Sequence, residues 1–325
     1  YERTIWKSNH ECARFCLLNK PSLSNHKTQN LQIHLEGFLV YLFSLENHKM
    51  KKHFLYFILL IPILSFGQKN EKIKGNKIIS IQETKIDSFS IISIGENFKI
   101  NLLEGEPMVK IETDENLHDV IEFDVDDNTL SFKLNKRITT KKKLIITIYY
   151  PSTIESIITK DNAEVNSLST IILANLNLKT GGTSKVNLDI KTSVFNYTNL
   201  ERSRTELKVI ADSVTISLRG NSKLKGFIKS PKLVSSMYDR ADAELKGDVD
   251  SLYIDLNNRT SFAGKDLQVD YCEIFTQENS KATINISDEL YLKARGNSDI
   301  NIYNDPQIII EEFTETATLH KSQIK

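Results

Sequence analysis

Histidine, cysteine and paired acids are the raw material of most catalytic and metal sites, and their spacing here assembles none. Seven histidines and three cysteines occur in 325 residues, but five histidines and two cysteines precede Gln68, leaving His118, His320 and Cys272. Two histidines far apart in sequence and one cysteine at an apolar strand position cannot supply a zinc or copper set. Asp161, Asp239, Asp242, Asp248, Asp250 and Asp255 could offer oxygen ligands, yet they show neither EF-hand spacing nor a glycine-aspartate nonapeptide and read as solvated acids. Neither histidine lies beside a nucleophile motif such as G-x-S-x-G. Gly181-Gly182 lacks the Lys-Ser/Thr and the helix of a phosphate cradle. The expectation is no catalytic residue, no metal and no cofactor.

One row of residues recurs often enough to bind something. Eight polar triplets with a small third member punctuate the chain: Asp161-Asn162-Ala163, Gly182-Thr183-Ser184, Glu201-Arg202-Ser203, Gly220-Asn221-Ser222, Asp239-Arg240-Ala241, Asn258-Arg259-Thr260, Glu278-Asn279-Ser280 and Gly296-Asn297-Ser298. Their middle members include Arg202, Asn221, Arg240 and Arg259 on four successive triplets. Guanidinium and amide groups in line would meet sugar hydroxyls or the acids of a polymer. Solvated turn residues are the plainer account, with Glu201 and Asp239 near enough in sequence to offset the arginines.

The elements that would align such a row follow from the intervals between triplets, which are 21, 19, 19, 19, 19, 20 and 18 residues. A fixed period in this range marks a solenoid whose repeats bury their apolar sides only by stacking. Two, four and six residues before a triplet stand Val214, Ile216 and Leu218, or Leu252, Ile254 and Leu256, or Leu290, Leu292 and Ala294. Alternation with period two is a strand pattern. A second inward strand follows each triplet, beginning at Val165, Val186, Thr205, Leu224, Ala243, Phe262, Ala282 or Ile300. The triplets are therefore corners, rich in residues that tolerate sharp-turn backbone angles. The fold class expected is all-β, a right-handed parallel β-helix or solenoid of about eight coils.

Residues 77–150 keep strand alternation but lack the triplet. The links Glu104-Gly105-Glu106-Pro107 and Asp126-Asp127-Asn128 predict hairpins. This region is read as an N-terminal hairpin-rich cap, with regular coils over 151–306, a C-terminal cap over 307–320, and a flexible lead-in over 68–76. Ahead of it, Met50, a basic start, the apolar run Phe54 to Leu64 and Ser65-Phe66-Gly67 give 50–67 the layout of a signal peptide, with 1–49 as upstream translation outside the fold. The apolar run is too short to span a bilayer.

From residue 69 onward the chain carries 34 Lys and Arg against 38 Asp and Glu, a mildly acidic balance that argues against nucleic acid as partner. Cys272 sits six residues before a triplet, where other copies place core residues, and is read as core.

The strand Ile94-Gly95-Glu96-Asn97-Phe98-Lys99-Ile100-Asn101-Leu102 with Glu104-Gly105-Glu106 behind it, then Asn128-Thr129-Leu130, then Ile146-Thr147-Ile148-Tyr149-Tyr150-Pro151 leading into Asn-Ser and Gly-Asn-Ser turns, resembles the putative auto-transporter adhesin family with a head GIN domain (DUF2807). The resemblance spans about residues 85–305 and implies a β-helical fold and an exported protein of a Bacteroidetes-type bacterium. It implies no active site to carry over. The expected role is a non-enzymatic cell-surface or envelope binding protein, secreted or held in the periplasm or on the outer surface, with a cell-surface glycan or another envelope protein as partner. A carbohydrate-active β-helix enzyme, which would cluster acids on one flank, and a purely structural envelope protein are the alternatives.

Overall fold

The computed structural model describes residues 71–323, and the segments read as upstream translation and signal peptide lie outside them. Strands β12 (Ile171–Thr180), β13 (Lys185–Asn199), β14 (Arg204–Leu218), β15 (Lys223–Met237), β16 (Asp242–Leu256), β17 (Ser261–Thr276) and β18 (Lys281–Ala294) stack in parallel, each on the next. Each long strand is one coil. In β14 inward and outward residues alternate until Asp212 and Ser213, which both face out. That double outward step bends the strand and resets its phase, giving every coil an outgoing and a return run.

The corners behave as their composition predicts. The first triplet residue has positive φ at Asp161, Gly182, Gly220, Asp239, Asn258, Glu278 and Gly296. A Cβ on Gly182 would stand 2.4 Å from the Asp161 carbonyl oxygen, so stacked corners leave glycine no substitute there. The third residues, from Ala163 and Ser184 to Ser298, are all buried. Inward columns are closed: Val214, Leu233, Leu252, Cys272 and Leu290 stack rung on rung, and burial pushes the Cys272 thiol pKa up as expected of a core residue.

The parallel β-solenoid of about eight coils is the fold observed, with about nine turns, since both regions read as caps contribute strands to the stack. At the start, β3 (Ile91–Ile94) and β4 (Lys99–Glu104) pair in parallel with β10 (Ser156–Thr159) and β11 (Glu164–Ser167). They turn at Glu96, another positive-φ corner. The cover on this coil is made by β7 (Thr129–Leu134) on β3 and β9 (Leu144–Tyr150) on β4. Around it lie β2 (Ile79–Lys85), β5 (Met108–Asp114) and β6 (Ile121–Asp126). The Asp127-Asn128 link makes the expected hairpin, β6 on β7. The Gly105 link does not. β9 inserts between β4 and β5, parallel to one and antiparallel to the other, because its Ile146 and Ile148 complete the apolar face that Ile100 and Leu102 leave open.

The lead-in expected to be flexible holds β1 (Lys72–Lys74), paired with β8 (Arg137–Thr140). It is pinned by Asp114, whose carboxylate accepts from the Lys77 amide at 2.6 Å and the Lys142 amide at 2.7 Å. At the far end β19 (Asp299–Tyr303) and β21 (Thr318–Ser322) continue the outgoing run, and β20 (Gln307–Phe313) continues the return run. Residues 307–320 are therefore one more coil, cornered at Glu315, rather than a cap. Its inward positions Ile308, Ile310 and Phe313 stay 38%, 51% and 40% exposed, where Leu290, Leu292 and Ala294 below them are at 0%. Among the described residues nothing covers this end.

Candidate functional site

The corner row is built by the backbone before any side chain acts. At the three arginines the amide of the middle residue donates to the carbonyl of the first residue one corner back: Arg202 to Gly182 at 3.0 Å, Arg240 to Gly220 at 2.9 Å and Arg259 to Asp239 at 2.9 Å. This fixes the middle residues in one column at the rung spacing of about 4.8 Å. All eight are exposed.

Their side chains divide the column in three. At its start Asn162 Nδ2 donates to Asn97 Oδ1 at 3.0 Å, and Thr183 Oγ1 donates to Asn162 Oδ1. At its end Asn297 Nδ2 donates to Asn279 Oδ1 at 3.2 Å. These are amide ladders that satisfy themselves. Between them Arg202, Asn221, Arg240 and Arg259 form no side-chain hydrogen bond or ion pair among the described residues.

The acids expected to offset those arginines are engaged elsewhere. Glu201 Oε2 accepts from the Gly182 amide at 2.6 Å, and Asp239 Oδ2 accepts from the Gly220 amide at 3.0 Å. Asp161 does the same for the Glu96 amide at 2.9 Å. A corner with positive φ turns its N–H outward, and the carboxylate of the following rung reaches back to satisfy it. The acids thus stabilise the ladder and leave the guanidinium groups unpaired.

Three further cations join this edge that the sequence reading passed over. Lys185, Arg204 and Lys223 follow directly after their triplets and stack in register on successive rungs. Among the described residues none forms an ion pair. Their signal was the register itself, since the first residue after each triplet must point outward. With Asn162, Glu164, Thr183 and Arg202, residues Lys185 and Arg204 line a hollow of about 440 Å3. Arg219, one residue before its triplet, stacks over the Tyr238 ring at 5.0 Å. Glu164 and Asp242 stand at either end of the Lys185, Arg204 and Lys223 column, so the edge is basic over these three rungs and acidic on both sides of them.

Among the described residues the histidines build no second constellation. His118 Nε2 lies 2.9 Å from Ser80 Oγ, but its buried Nδ1 has no partner, so the orienting acid of a triad is missing among the described residues. His320 faces Asp299 at 3.7 Å on the last coil. Among the described residues no three of His, Cys, Asp and Glu gather as a metal would require. No helix there is long and apolar enough to cross a membrane. A second hollow, of about 470 Å3, runs along the outer bend, where Ile172, Lys191, Ile210 and Lys229 succeed one another in register.

Comparison with known proteins gives the following. A family model described as "Putative auto-transporter adhesin, head GIN domain" matches residues 88–306. A putative adhesin from Parabacteroides merdae is similar in structure, with 18% identity, a TM-score of 0.54, and coverage of 78% of this chain and 99% of that one. A putative adhesin from Parabacteroides distasonis aligns at 14% identity and a TM-score of 0.57, over 78% and 100% of the two chains. A protein from the same organism described as a putative lipid binding protein aligns at 16% identity and 0.54, again over 78% and 100%. At these identities the likeness is one of fold. No curated protein matches.

Proposed function

The chain belongs to the putative auto-transporter adhesin family with a head GIN domain, and from that premise we propose that it is a non-enzymatic binding protein of the cell surface or envelope whose corner edge recognises an acidic polysaccharide. The observation that carries this reading is the pairing pattern of the corners: Glu201 and Asp239 are bound to backbone amides, while Arg202, Arg240 and Arg259 are exposed and have no side-chain partner among the described residues. Arg240 and Arg259 are on adjacent rungs, where like charges repel until an anion lies between them. A uronic-acid polymer supplies carboxylates at regular intervals, each able to engage a guanidinium in bidentate fashion, and successive rungs add avidity. Lys185, Arg204 and Lys223 widen the same edge.

The test is binding of polygalacturonate across a salt series. Affinity is expected to fall as salt rises, because exposed charges are screened within about 10 Å at 0.1 M. The triple change Arg202→Gln, Arg240→Gln and Arg259→Gln should weaken binding about tenfold or more with the melting temperature unchanged. Equal binding by the triple variant would make the row a turn ladder only.

The hollow at the outer bend supports a second reading. Exposed Ile172 and Ile210 alternate there with Lys191 and Lys229, and Asp212, Asp248 and Asp250 line the same hollow, a mixed apolar and charged lining that suits an amphiphile, and one structural relative is described as lipid binding. Binding of a fluorescent fatty acid that Ile210→Asp abolishes would favour it.

A further inference from the structure

The outward face of the return strands changes character along the stack. In the early rungs its central column holds Asn177, Asn196 and Thr215, with Asn196 Nδ2 donating to Asn177 Oδ1 at 3.0 Å. Later the same column reads Val234, Tyr253, Glu273 and Tyr291. Tyr271 sits on the strand of Glu273, two residues away and on the same face. Tyr253, Tyr271 and Tyr291 are 38%, 53% and 39% exposed. Glu273, ringed by these three, forms no side-chain hydrogen bond or ion pair among the described residues, whereas Lys293 and Arg295 nearby are paired with Glu311 and Glu312.

From this juxtaposition we propose a second binding site, in which Tyr253 and Tyr291 carry the rings of a neutral β-linked polysaccharide laid along the stack and Glu273 accepts hydrogen bonds from its hydroxyls. A pyranose in such a polymer has a flat face of C–H groups and a rim of hydroxyls. Half-exposed aromatic rings cover the first, and an unpaired carboxylate answers the second. Tyr253 and Tyr291 are two rungs apart, about 10 Å, roughly the length of two sugar units in an extended chain. Glu273 and the neighbouring Glu289 repel a uronic acid, so this face selects against the polymer proposed for the arginine edge. The two sites differ in chemistry and fail independently.

Retention of the full chain on microcrystalline cellulose and on chitin, in about 1 M salt to screen the arginine edge, decides the matter. The parent is expected to bind at least one of them. Tyr253→Thr with Tyr291→Thr should bind about tenfold more weakly. Thr215 occupies this column natively, so threonine suits the strand and folding is preserved. Tyr253→Phe with Tyr291→Phe keeps the rings and should bind as the parent does. The Arg-to-Gln triple variant should bind cellulose or chitin unchanged, while the threonine pair keeps its polygalacturonate binding. A parent retained on neither polymer, a threonine pair that binds equally well, or a phenylalanine pair that loses binding would each overturn the proposal.

Discussion

The two ends of the stack have the same coil geometry and opposite fates. At the first coil, Ile92, Ile94, Phe98 and Ile100 are as buried as residues in the middle, because β7 and β9 lie across them. At the last coil the matching columns hold Ile308, Ile310 and Phe313, roughly half exposed. A stacked coil is half a core. The residues that look inward gain their burial from the next rung, and where none is present they contribute little.

The largest test of that contrast uses one column. Leu292 and Ile310 are register partners on adjacent strands. Leu292→Asp places a carboxylate in a closed core and should cost several kcal/mol, enough to unfold the late coils. Ile310→Asp leaves its charge in water and should cost less than about 1 kcal/mol. Denaturant midpoints of the two variants measure it, and equal losses would show that the last coil is covered in solution.

A smaller effect distinguishes the ends by pH. Burial alone would raise the Asp114 pKa, but the amides of Lys142, Lys143 and Lys77 outweigh it and hold the carboxyl below its ordinary range. A depressed folded-state pKa stabilises the protein above the unfolded value near 4 and is lost as pH falls through the folded one. Acid should therefore loosen the covered end, seen as faster amide exchange in β1 and β2, while at the far end the partly exposed Glu312, held low by its hydrogen bond with Arg295, contributes a smaller, salt-screened loss in β20. Asp114→Asn should lose this dependence at that end and leave exchange in β20 unchanged.

The smallest effect concerns the corners. Glu96 and Glu315 both adopt positive φ, at 52° and 62°. Glycine at 315 should stabilise the protein by about 1 kcal/mol by relieving a conformation that disfavours a Cβ. At 96 the gain should be less, since Glu96 Oε1 accepts from the Leu134 amide at 3.2 Å and ties the corner to its cover. Thermal melts of both variants rank them.

Much of this was legible in the residues. Period-two alternation and small third residues located the inward columns and the corners, because both are imposed locally by strand geometry and crowding. Glu96-Asn97-Phe98 was missed as a corner since its third residue is large, and because Asp161, its neighbour in space, lies 65 residues away. Glu315-Thr316-Ala317 does keep the period, 19 residues after Gly296. Pro306 hid it by suggesting a stop, whereas it sits buried just before β20. For the corner edge the row could be read but its pairing could not. Nothing in sequence says that Glu201 and Asp239 face a backbone amide rather than an arginine. The insertion of β9 was equally hidden, as parallel pairing leaves no short-range mark.

That insertion bears on how the chain folds. β5 can pair with β2 as soon as both exist, but β4 and β5 cannot join one sheet until residues 144–150 are present to stand between them. Until then the polypeptide has no finished template, and its exposed strands are at their most vulnerable to misassembly. Once β9 closes, every further stretch of about 19 residues meets a ready-made edge and can add in turn. Folding thus runs from a slow, all-or-none start into a ratchet of small steps. The half-exposed apolar rung of the last coil is an edge of the same kind that each earlier coil offered to its successor.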